Sequence, residues 1–402
     1  MLGSSVLMSS RGSLKHGHVF FLSGYYGQGN LGDDLLLRAT IEGICRICPA
    51  KHFIVRNEGD VAGLNGLPVS VELTGIDKVA ADQTKSKFRR FIATLLAYRQ
   101  YLMRCDWFVF GGGTVFHERS SVIPLAMTLA ICVLARLMGV RIAALGAGVA
   151  TLQSRTGAFL LRHIIELSDV FAVRDDAAFA ECVKSGAAHK VVLTADLVFT
   201  MTGSLQRVRG VSSRKEVPLV GISIYAPAFL DPVSGNDTLA AMREVLEIIV
   251  ARGWRVALLA FHHRPKASMA RLDNDVLKKM VEGIPNKFQE QVILTALNAD
   301  DMDGIARIFS DMDVHCGMRF HGLVLSAIFE KPFVGVVVDN KIDAISRLFE
   351  MPQIRLTQLS AKGLIDAVDL AMERHIDRAT LAKCAEDSEQ NFSQFAACVA
   401  AA

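Results

Sequence analysis

The chain has 402 residues, of which 51% are hydrophobic and 21% are charged. This length favours two domains, and the composition is far from that of a disordered protein. The formal net charge of +3 is too close to neutral to indicate nucleic acid as the main partner.

The cysteines and apolar runs favour a cytoplasmic protein. Cys45 and Cys48 form a C-x-x-C, but no second pair lies nearby to complete a zinc site, so reduced thiols are the favoured interpretation. Residues 1–17 lack the apolar segment of a signal peptide, and we expect a loose tail there. The strongest apolar run, Ile123–Ala135, is well short of the about 20 residues that span a bilayer.

Apolar strand candidates alternate with helical patterns from residue 18 onward. The strand candidates of the first half are His18–Ser23, His52–Val55, Trp107–Phe110, Arg141–Leu145, Val170–Val173 and Lys190–Thr194. The helical patterns are Leu35–Ile47, Phe88–Met103, Leu125–Met138, Gly157–Leu167 and Ala177–Val183. Continuous apolar strands separated by helices predict a parallel sheet that is covered on both faces.

The alternation restarts after a polar, basic stretch at 203–217. The later strand candidates are Leu219–Ile224, Arg255–Ala260, Val292–Leu294, Val314–Cys316 and Phe333–Val338. The later helices are Thr238–Ala251, Asp300–Phe309, Gly322–Phe329 and Asp343–Phe349, and the last 40 or so residues also have a helical pattern. We predict an α/β fold in which two doubly wound domains face each other across a cleft. The predicted bounds are 18–205, a linker at 206–217, 218–375, and C-terminal helices at 376–402.

A glycine-rich loop follows the first strand. Gly27, Gly29 and Gly32 match the dinucleotide-binding pattern G-x-G-x-x-G. Asp33 and Asp34 follow at once, and two carboxylates in the first helical turn would repel a pyrophosphate. A dehydrogenase is therefore a minor alternative. The simpler interpretation is that the glycines allow a tight turn and Asp33 caps the helix.

Two further glycine clusters follow strands of the same half. Gly111, Gly112 and Gly113 come after Trp107–Phe110, and Gly146-Ala147-Gly148 comes after Arg141–Leu145. Three such loops at one sheet edge predict a glycine-lined floor to the cleft, with close packing of strand ends as the equal alternative for each loop.

Charged residues also occupy strand ends. Arg174 can bind the carboxylate or phosphate of a ligand through two parallel hydrogen bonds. Alternatively, it can form a structural ion pair with Asp175, Asp176 or Asp196. In the second half, His262 and His263 end a strand, where they are candidates for binding an anion or for simple packing.

The most informative segment is Val314–Ala327. A strand ends near Cys316 and a helix is expected to begin near His321. Arg319 and His321 are two apart in what should be extended chain, so both side chains should point the same way. Together with the free N–H groups expected at 322–324, they predict an anion pocket.

These residues, in this order, resemble the polysaccharide pyruvyl transferase family. The matching segments are Gly29–Asp34, Gly111–Gly113, Arg174-Asp175, Thr194–Asp196 and Met318–Gly322. The resemblance implies two Rossmann-like domains of the GT-B type. It also implies phosphoenolpyruvate as the donor and a sugar of a cell-surface polysaccharide, or its lipid-linked precursor, as the acceptor. Ala147 and Cys316-Gly317 depart from the family pattern.

On this resemblance we assign expected roles. His321 and Arg319 are the candidate catalytic residues, with His321 moving the proton, and Arg319, Arg174, Gly322, His262 and His263 are candidates for holding the donor. The candidate acceptor and cleft-loop residues are Gly29, Asn30, Asp33, Asp34, Gly111, Gly112, Gly113, His117, Glu118 and Asp196. The chemistry requires no metal and no cofactor.

Three alternatives remain open. A GT-B glycosyltransferase that uses a nucleotide sugar would need an acidic ribose ligand, for which Asp339 is a candidate. A non-catalytic sugar-binding protein could share the scaffold. The helix that follows Lys85 is basic and amphipathic, so it could contact the inner face of the cell membrane, although a core-facing stripe with a solvated basic side is the commoner explanation.

Overall fold

The computed structural model describes residues 17–81, 86–118, 121–208, 217–230, 234–262, 273–282 and 284–400. Within them, seven parallel strands form the first sheet: β1 His18–Ser23, β2 Ala50–Val55, β3 Ser70–Leu73, β4 Trp107–Gly111, β5 Arg141–Ala147, β6 Val170–Val173 and β7 Val191–Leu193. Their order across the sheet is β3-β2-β1-β4-β5-β6-β7. The order reverses between β1 and β4, which is the switch point of a doubly wound sheet.

The second sheet repeats this plan with six parallel strands. They are β8 Leu219–Ser223, β9 Arg255–Ala260, β10 Val292–Ala296, β11 Val314–Gly317, β12 Phe333–Val337 and β13 Gln353–Arg355, in the order β10-β9-β8-β11-β12-β13. Its switch point lies between β8 and β11.

Helices connect the strands. In the first half they are α1 Leu31–Ile47, α2 Ile76–Ala81, α3 Lys87–Leu102, α4 Ile123–Leu137, α5 Arg155–Leu167, α6 Asp176–Ser185 and α7 Thr202–Val208. In the second half they are α8 Gly235–Ala251, α9 Asp273–Val281, α10 Met302–Asp311, α11 Phe320–Ile328, α12 Asn340–Leu348, α13 Ala361–Met372 and α14 Arg378–Ala400. None of these helices is long and apolar enough to cross a membrane.

The apolar core has three parts. One part lies between the first sheet and α2 to α6, and another lies on the far side of the second sheet against α8 and α13. The third part joins the two domains, because residues of α1, α11 and α14 pack into one cluster. The long helix α14 returns to the first domain, where Phe395 packs edge-on against Trp107 with 4.6 Å between ring centroids. This shared core holds the two domains against each other.

The fold class predicted from the sequence is confirmed, and the strand and helix candidates all occur with small shifts of their ends. β3 and β13 are not predicted from the sequence, because they are short edge strands with half-exposed side chains and no apolar run. The short helices α2, α7 and α9 are not predicted either. The first three residues of the predicted linker, 206–208, belong to the end of α7. Residues 209–216 lie outside the described ranges, as do residues 1–16 of the predicted tail.

Candidate active site

The sequence motifs lie at the switch points of the two sheets. In the first sheet the switch point is flanked by the loop of residues 24–30, after β1, and by Gly111–Gly113, at the end of β4. In the second sheet it is flanked by Tyr225, after β8, and by Arg319, after β11. Ligands of doubly wound sheets bind outside the carboxyl ends of the strands at such points. The cleft between these segments is therefore the candidate active site.

The two domains touch directly at one side of this cleft. The Leu31 N–H donates to the Phe261 carbonyl at 2.9 Å, and His262 Nε2 lies 2.9 Å from the Gln28 carbonyl oxygen. His262 is buried. It was predicted as a donor ligand, and in the structure its ring holds the loop before α1 against the second domain. The neighbouring His263 lies outside the described residues.

A buried ion pair forms the floor of the cleft on the side of the first domain. Arg174 follows β6, and its Nη1 donates to Asp196 Oδ2 at 2.9 Å. Its Nη2 lies 3.3 Å from the Thr114 hydroxyl, and Phe320 of the second domain stacks on the guanidinium at 5.3 Å. The ion pair, one of the two roles considered for Arg174, is thus present in the structure.

His321 reaches this ion pair from the other domain. It lies in the first turn of α11, and its Nε2 is 3.6 Å from Asp196 Oδ2. Among the described residues that nitrogen has no closer hydrogen-bond partner. Burial by itself would raise the pKa of Asp196, but His321 and Arg174 together hold that pKa well below its usual range. Asp196 is therefore a carboxylate that faces an imidazole across the domain boundary.

The N-terminus of α1 is shaped to receive the imidazole. A β-carbon on Gly32 would clash with Nδ1 of His321, so only glycine leaves room for the ring at this position. Gly29, at φ +73°, makes the tight turn before the helix. The third glycine of the dinucleotide-like pattern thus accommodates a side chain of this chain itself.

Asn30, rather than Asp33, caps α1. The Asn30 side chain accepts from the Gly32 N–H at 3.3 Å and donates to Asp33 Oδ2 at 2.7 Å. Burial raises the pKa of Asp33 above its usual range, against the opposing influence of Asn30 and of the nearby cations. Asp34 is buried in the same turn. Asp33 thus places a second carboxyl group beside His321.

The glycine loops of β4 and β5 are joined to each other. Gly112 and Gly113 have φ of +51° and +72°, and the Gly148 N–H donates to the Gly113 carbonyl at 2.7 Å. A β-carbon on Gly148 would lie 3.2 Å from Arg174 Nη2. A β-carbon on Gly111 would press on the Tyr26 hydroxyl, which donates to the Gly111 carbonyl at 2.7 Å. These glycines allow the close approach of the strand ends, as the packing alternative predicted.

Lys341 is a cleft residue that the sequence analysis missed. It lies in the first turn of α12, and its Nζ donates to the Thr114 hydroxyl of the first domain at 2.6 Å. The preceding Asp339 accepts from the Lys341 and Ile342 N–H groups, so its carboxylate caps α12. The sequence signal for this residue is the polar run Asp339-Asn340-Lys341 after β12, another strand end.

Arg319 forms a second buried ion pair, within its own domain. Its Nη2 donates to the fully buried Asp273, and its Nε donates to the Ile224 carbonyl at 2.8 Å. The Tyr225 ring lies against the guanidinium at 5.0 Å. The prediction that Arg319 and His321 share an extended segment is wrong, because α11 begins at Phe320. The two side chains accordingly contact different partners.

The N–H groups at the start of α11 were expected to be free to bind an anion, but they are not. Those of Gly322 and Leu323 both donate to the Arg319 carbonyl, at 2.9 and 3.2 Å, so they are not free for an anion. Gly322 instead lies close to His315, which is fully buried between Ser326 and Ser223 at 2.7 and 3.0 Å. Burial lowers the pKa of His315 to about 3. His315 is therefore neutral and supports the turn from inside the domain.

The two candidate acceptor residues after β4 have separate surroundings. His117 Nε2 lies 2.5 Å from the Tyr25 hydroxyl, next to the loop that follows β1. Glu118 accepts from the Ser154 N–H and hydroxyl, both at 2.7 Å, and these hydrogen bonds lower its pKa although burial opposes them. Glu118 thus fixes the start of α5, whereas His117 lies beside the cleft loops. No group of three or more potential metal ligands occurs among the described residues.

The fold is shared with several solved structures. A UDP-GlcNAc 2-epimerase from Neisseria meningitidis, bound to UDP-GlcNAc, aligns with a TM-score of 0.60 and 9% identity, covering 94% of this chain and 99% of the other. The epimerase from Methanocaldococcus jannaschii aligns at 0.59 with 10% identity over 92% and 97%. That of Rickettsia bellii aligns at 0.57 with 14% identity over 95% and 96%. At sequence identities this low, the structural similarity shows only that the chain has the GT-B fold.

Sequence comparison gives a more specific result. No curated protein matches the chain at a significant level. The model of the family described as polysaccharide pyruvyl transferase matches residues 30–340. That range includes the cleft residues from Asn30 to Asp339, and it covers most of the chain. The chain therefore belongs to the polysaccharide pyruvyl transferase family.

Proposed function

We propose that the chain transfers the pyruvyl group of phosphoenolpyruvate to two hydroxyls of a saccharide, forming a cyclic ketal and releasing phosphate. The observation that carries this proposal is the position of His321, which crosses the domain boundary to lie 3.6 Å from the Asp196 carboxylate. An imidazole beside a carboxylate suits a reaction that both donates and accepts protons near neutral pH.

The chemistry sets what the site must provide. The methylene carbon of the donor gains a proton and becomes a methyl group, while one sugar hydroxyl attacks the adjacent carbon. The bond from that carbon to the phosphate oxygen then breaks, and the second hydroxyl attacks the same carbon. Of the two hydroxyl protons, one balances the proton added to carbon and the other leaves with phosphate. One residue that gives a proton and then takes one is sufficient.

His321 is the proposed proton carrier. Asp196 orients the ring and stabilises its positive charge, and Arg174 holds Asp196 in place through the 2.9 Å ion pair. The partly exposed Lys341 and Arg319 supply positive charge for the phosphate and carboxylate of the donor. Arg174, which is almost fully enclosed, supports the carboxylate rather than the donor.

The proposed acceptor is a saccharide, in keeping with the description of the family. A sugar of a cell-surface polysaccharide, either free or on a lipid-linked precursor, would enter beside His117 and the loops that hold Gly29 and Gly113. Because phosphoenolpyruvate is a metabolite of the cytoplasm, we place the reaction there.

The first experiment tests the donor. Phosphoenolpyruvate at about 100 times its Kd should stabilise the fold by about 2.7 kcal/mol, which raises Tm by several degrees. UDP-GlcNAc and UDP should have no such effect. Stabilisation by the nucleotides and not by phosphoenolpyruvate would favour the glycosyltransferase alternative and overturn the proposal.

The second experiment tests His321. The full chain is incubated with phosphoenolpyruvate and a panel of methyl glycosides, and phosphate release is followed together with the ketal product by mass spectrometry. His321→Gln should lower turnover by about 10²–10⁴-fold, the usual contribution of general acid–base catalysis. The control is His189→Gln, because the His189 side chain is 65% exposed and precedes β7, at the amino edge of the first sheet and not at the carboxyl edge that borders the cleft. Turnover of His321→Gln within twofold of the unmodified chain would exclude the assigned role.

A further inference from the structure

The outer face of α3 and α4 is unusually apolar. Phe88 is 73% exposed, and Ile92 and Leu96 continue the same stripe at intervals of four residues along α3. On the adjacent α4, Val133 and Leu137 are also exposed, the latter by 81%. We call these five residues of two neighbouring helices the α3–α4 patch, and large apolar side chains exposed together in this way indicate an interaction surface.

This patch is separate from the face that α3 uses for the core. Tyr98 and Leu102 are buried, and the Tyr98 ring packs on Phe21 of β1 with 5.6 Å between ring centroids. The core-facing stripe expected from the sequence is therefore present, but it accounts for only part of the apolar residues of α3. The helix has a second apolar face, which is exposed.

The helices α3 and α4 contain basic residues but no acidic residue. The sequence has no acidic residue between Asp82 and Asp106, and none between Glu118 and Glu166. Arg89 and Arg99 are exposed on α3, beside Phe88 and Leu96. The surface of α3 and α4 therefore combines apolar side chains with cations, and the nearby carboxylates of Glu72 and Asp77 are already paired with Arg104 and Arg56.

This charge pattern argues against a second copy of the chain as the partner. In a two-fold symmetric dimer the same patch meets itself, so the arginines of one α3 would face those of the other with no acidic residue between them. A partner with an anionic surface and an apolar interior avoids that repulsion. A bilayer that contains acidic phospholipids has both properties.

The patch also lies beside the cleft. In a parallel α/β sheet the connecting helices run opposite to the strands, so the N-termini of α3 and α4 lie near the carboxyl edge of the first sheet. Phe88 and the exposed Ile123 are at these N-termini. A membrane that covers the patch would therefore lie next to the opening of the candidate active site.

We infer that the α3–α4 face docks the enzyme onto an anionic phospholipid bilayer. Apolar side chains enter the headgroup region, while Arg89 and Arg99 bind the acidic headgroups. This contact does not depend on pyruvyl transfer, so its test uses no substrate and can fail or succeed independently of the proposed reaction.

The test is sedimentation of the full chain with vesicles. The unmodified protein should pellet with vesicles of phosphatidylcholine and phosphatidylglycerol, much less with phosphatidylcholine alone, and less when salt is raised. Removing two cations with Arg89→Gln and Arg99→Gln should lower the partition coefficient about 30-fold, from about 1 kcal/mol per basic residue. Phe88→Ser with Leu96→Ser should lower it about tenfold or more.

Matched controls separate docking from general effects. Leu348→Ser with Leu370→Ser removes two exposed leucines of the second domain, and Arg347→Gln with Arg378→Gln removes two exposed cations there. Both double variants should bind as the unmodified chain does. The inference is overturned if the unmodified chain stays in the supernatant with acidic vesicles, or if the controls lose as much binding as the α3 variants. It is also overturned if Phe88→Ser with Leu96→Ser converts a dimer into a monomer in ultracentrifugation.

Discussion

Each domain of the molecule places an arginine after a strand and pairs it with a buried aspartate, but the two pairs differ in what else they contact. Arg174 in the first domain is 3% exposed, and its partner Asp196 also lies 3.6 Å from His321 of the other domain. Arg319 in the second domain is 15% exposed, and its partner Asp273 accepts from the backbone N–H groups of Ala226 and His262.

The same two residue types therefore serve two purposes. The Arg174–Asp196 pair presents a charged carboxylate to a histidine, so it belongs to the proposed chemistry. The Arg319–Asp273 pair fixes the turns around its own switch point, and the Arg319 side chain stays 15% exposed at these strand ends. We therefore expect substitutions in the Arg174–Asp196 pair to reduce turnover. Substitutions in the Arg319–Asp273 pair should weaken donor binding.

The largest expected effect is that of Asp196→Asn. Loss of the carboxylate removes the group that orients His321, so kcat should fall by about 100-fold or more. The free energy of unfolding should also fall by about 3 kcal/mol, because the buried Arg174 keeps only the more exposed Asp175, at 3.4 Å, as a counterion. Steady-state kinetics and urea denaturation measure the two effects, and kcat within threefold of normal would place Asp196 outside the chemistry.

The contribution of the Arg174–Asp196 pair to the free energy of unfolding should depend on pH. Because the folded-state pKa of Asp196 is held below its usual value of about 3.9, its stabilising contribution should be complete above about pH 4 and be lost as pH falls further. Measured from pH 5 downward, where carboxyl groups titrate, the stability difference between the unmodified chain and Asp196→Asn should thus shrink below about pH 4. A difference that grows over this acidic range would contradict this sign.

Asp273→Asn should destabilise the fold to a similar extent, about 3–5 kcal/mol, since Asp273 is fully buried. Its kinetic effect should differ, with a higher KM for phosphoenolpyruvate and a smaller change in kcat. If kcat fell as in Asp196→Asn while KM stayed normal, the distinction between the two pairs would be lost.

Gly32→Ala tests the space in which His321 lies. The added methyl group clashes with Nδ1 of His321, and overpacking of this kind costs about 1–3 kcal/mol. The ring should move away from Asp196, so turnover should fall although no charged group has changed. Gly203→Ala is the control, since a β-carbon there meets nothing within 4 Å. Equal turnover in the two variants would mean that the position of His321 is not critical.

The smallest effect is expected at an ion pair outside the cleft. Arg252 and Asp369 form a bidentate ion pair with hydrogen bonds of 2.6 and 3.0 Å, but their side chains are 34% and 45% exposed. Arg252→Ala should change the free energy of unfolding by less than about 1 kcal/mol, because water screens such pairs. A loss as large as that of Asp196→Asn would show that burial is not what distinguishes the cleft pairs.

Much of the fold and part of the site followed from the sequence. The apolar runs predicted both parallel sheets because a strand buried on both faces must be apolar throughout. Their edge strands β3 and β13 were missed because edge strands need no such run. At the site, the sequence identified Arg174, Asp196, Arg319 and His321 as strand-end residues, but it did not identify Lys341 or Asp273.

The alternation of strands and helices, the positions of the strand ends and the residue types found there can all be read from the amino-acid order. The partners of these residues follow from the packing of the fold: Gly32 makes room for His321, His321 lies beside Asp196, and His315 is fully buried. The physical reason is that periodicity reports which face of an element is buried. Contacts between residues far apart in the chain depend instead on how two complete domains pack together.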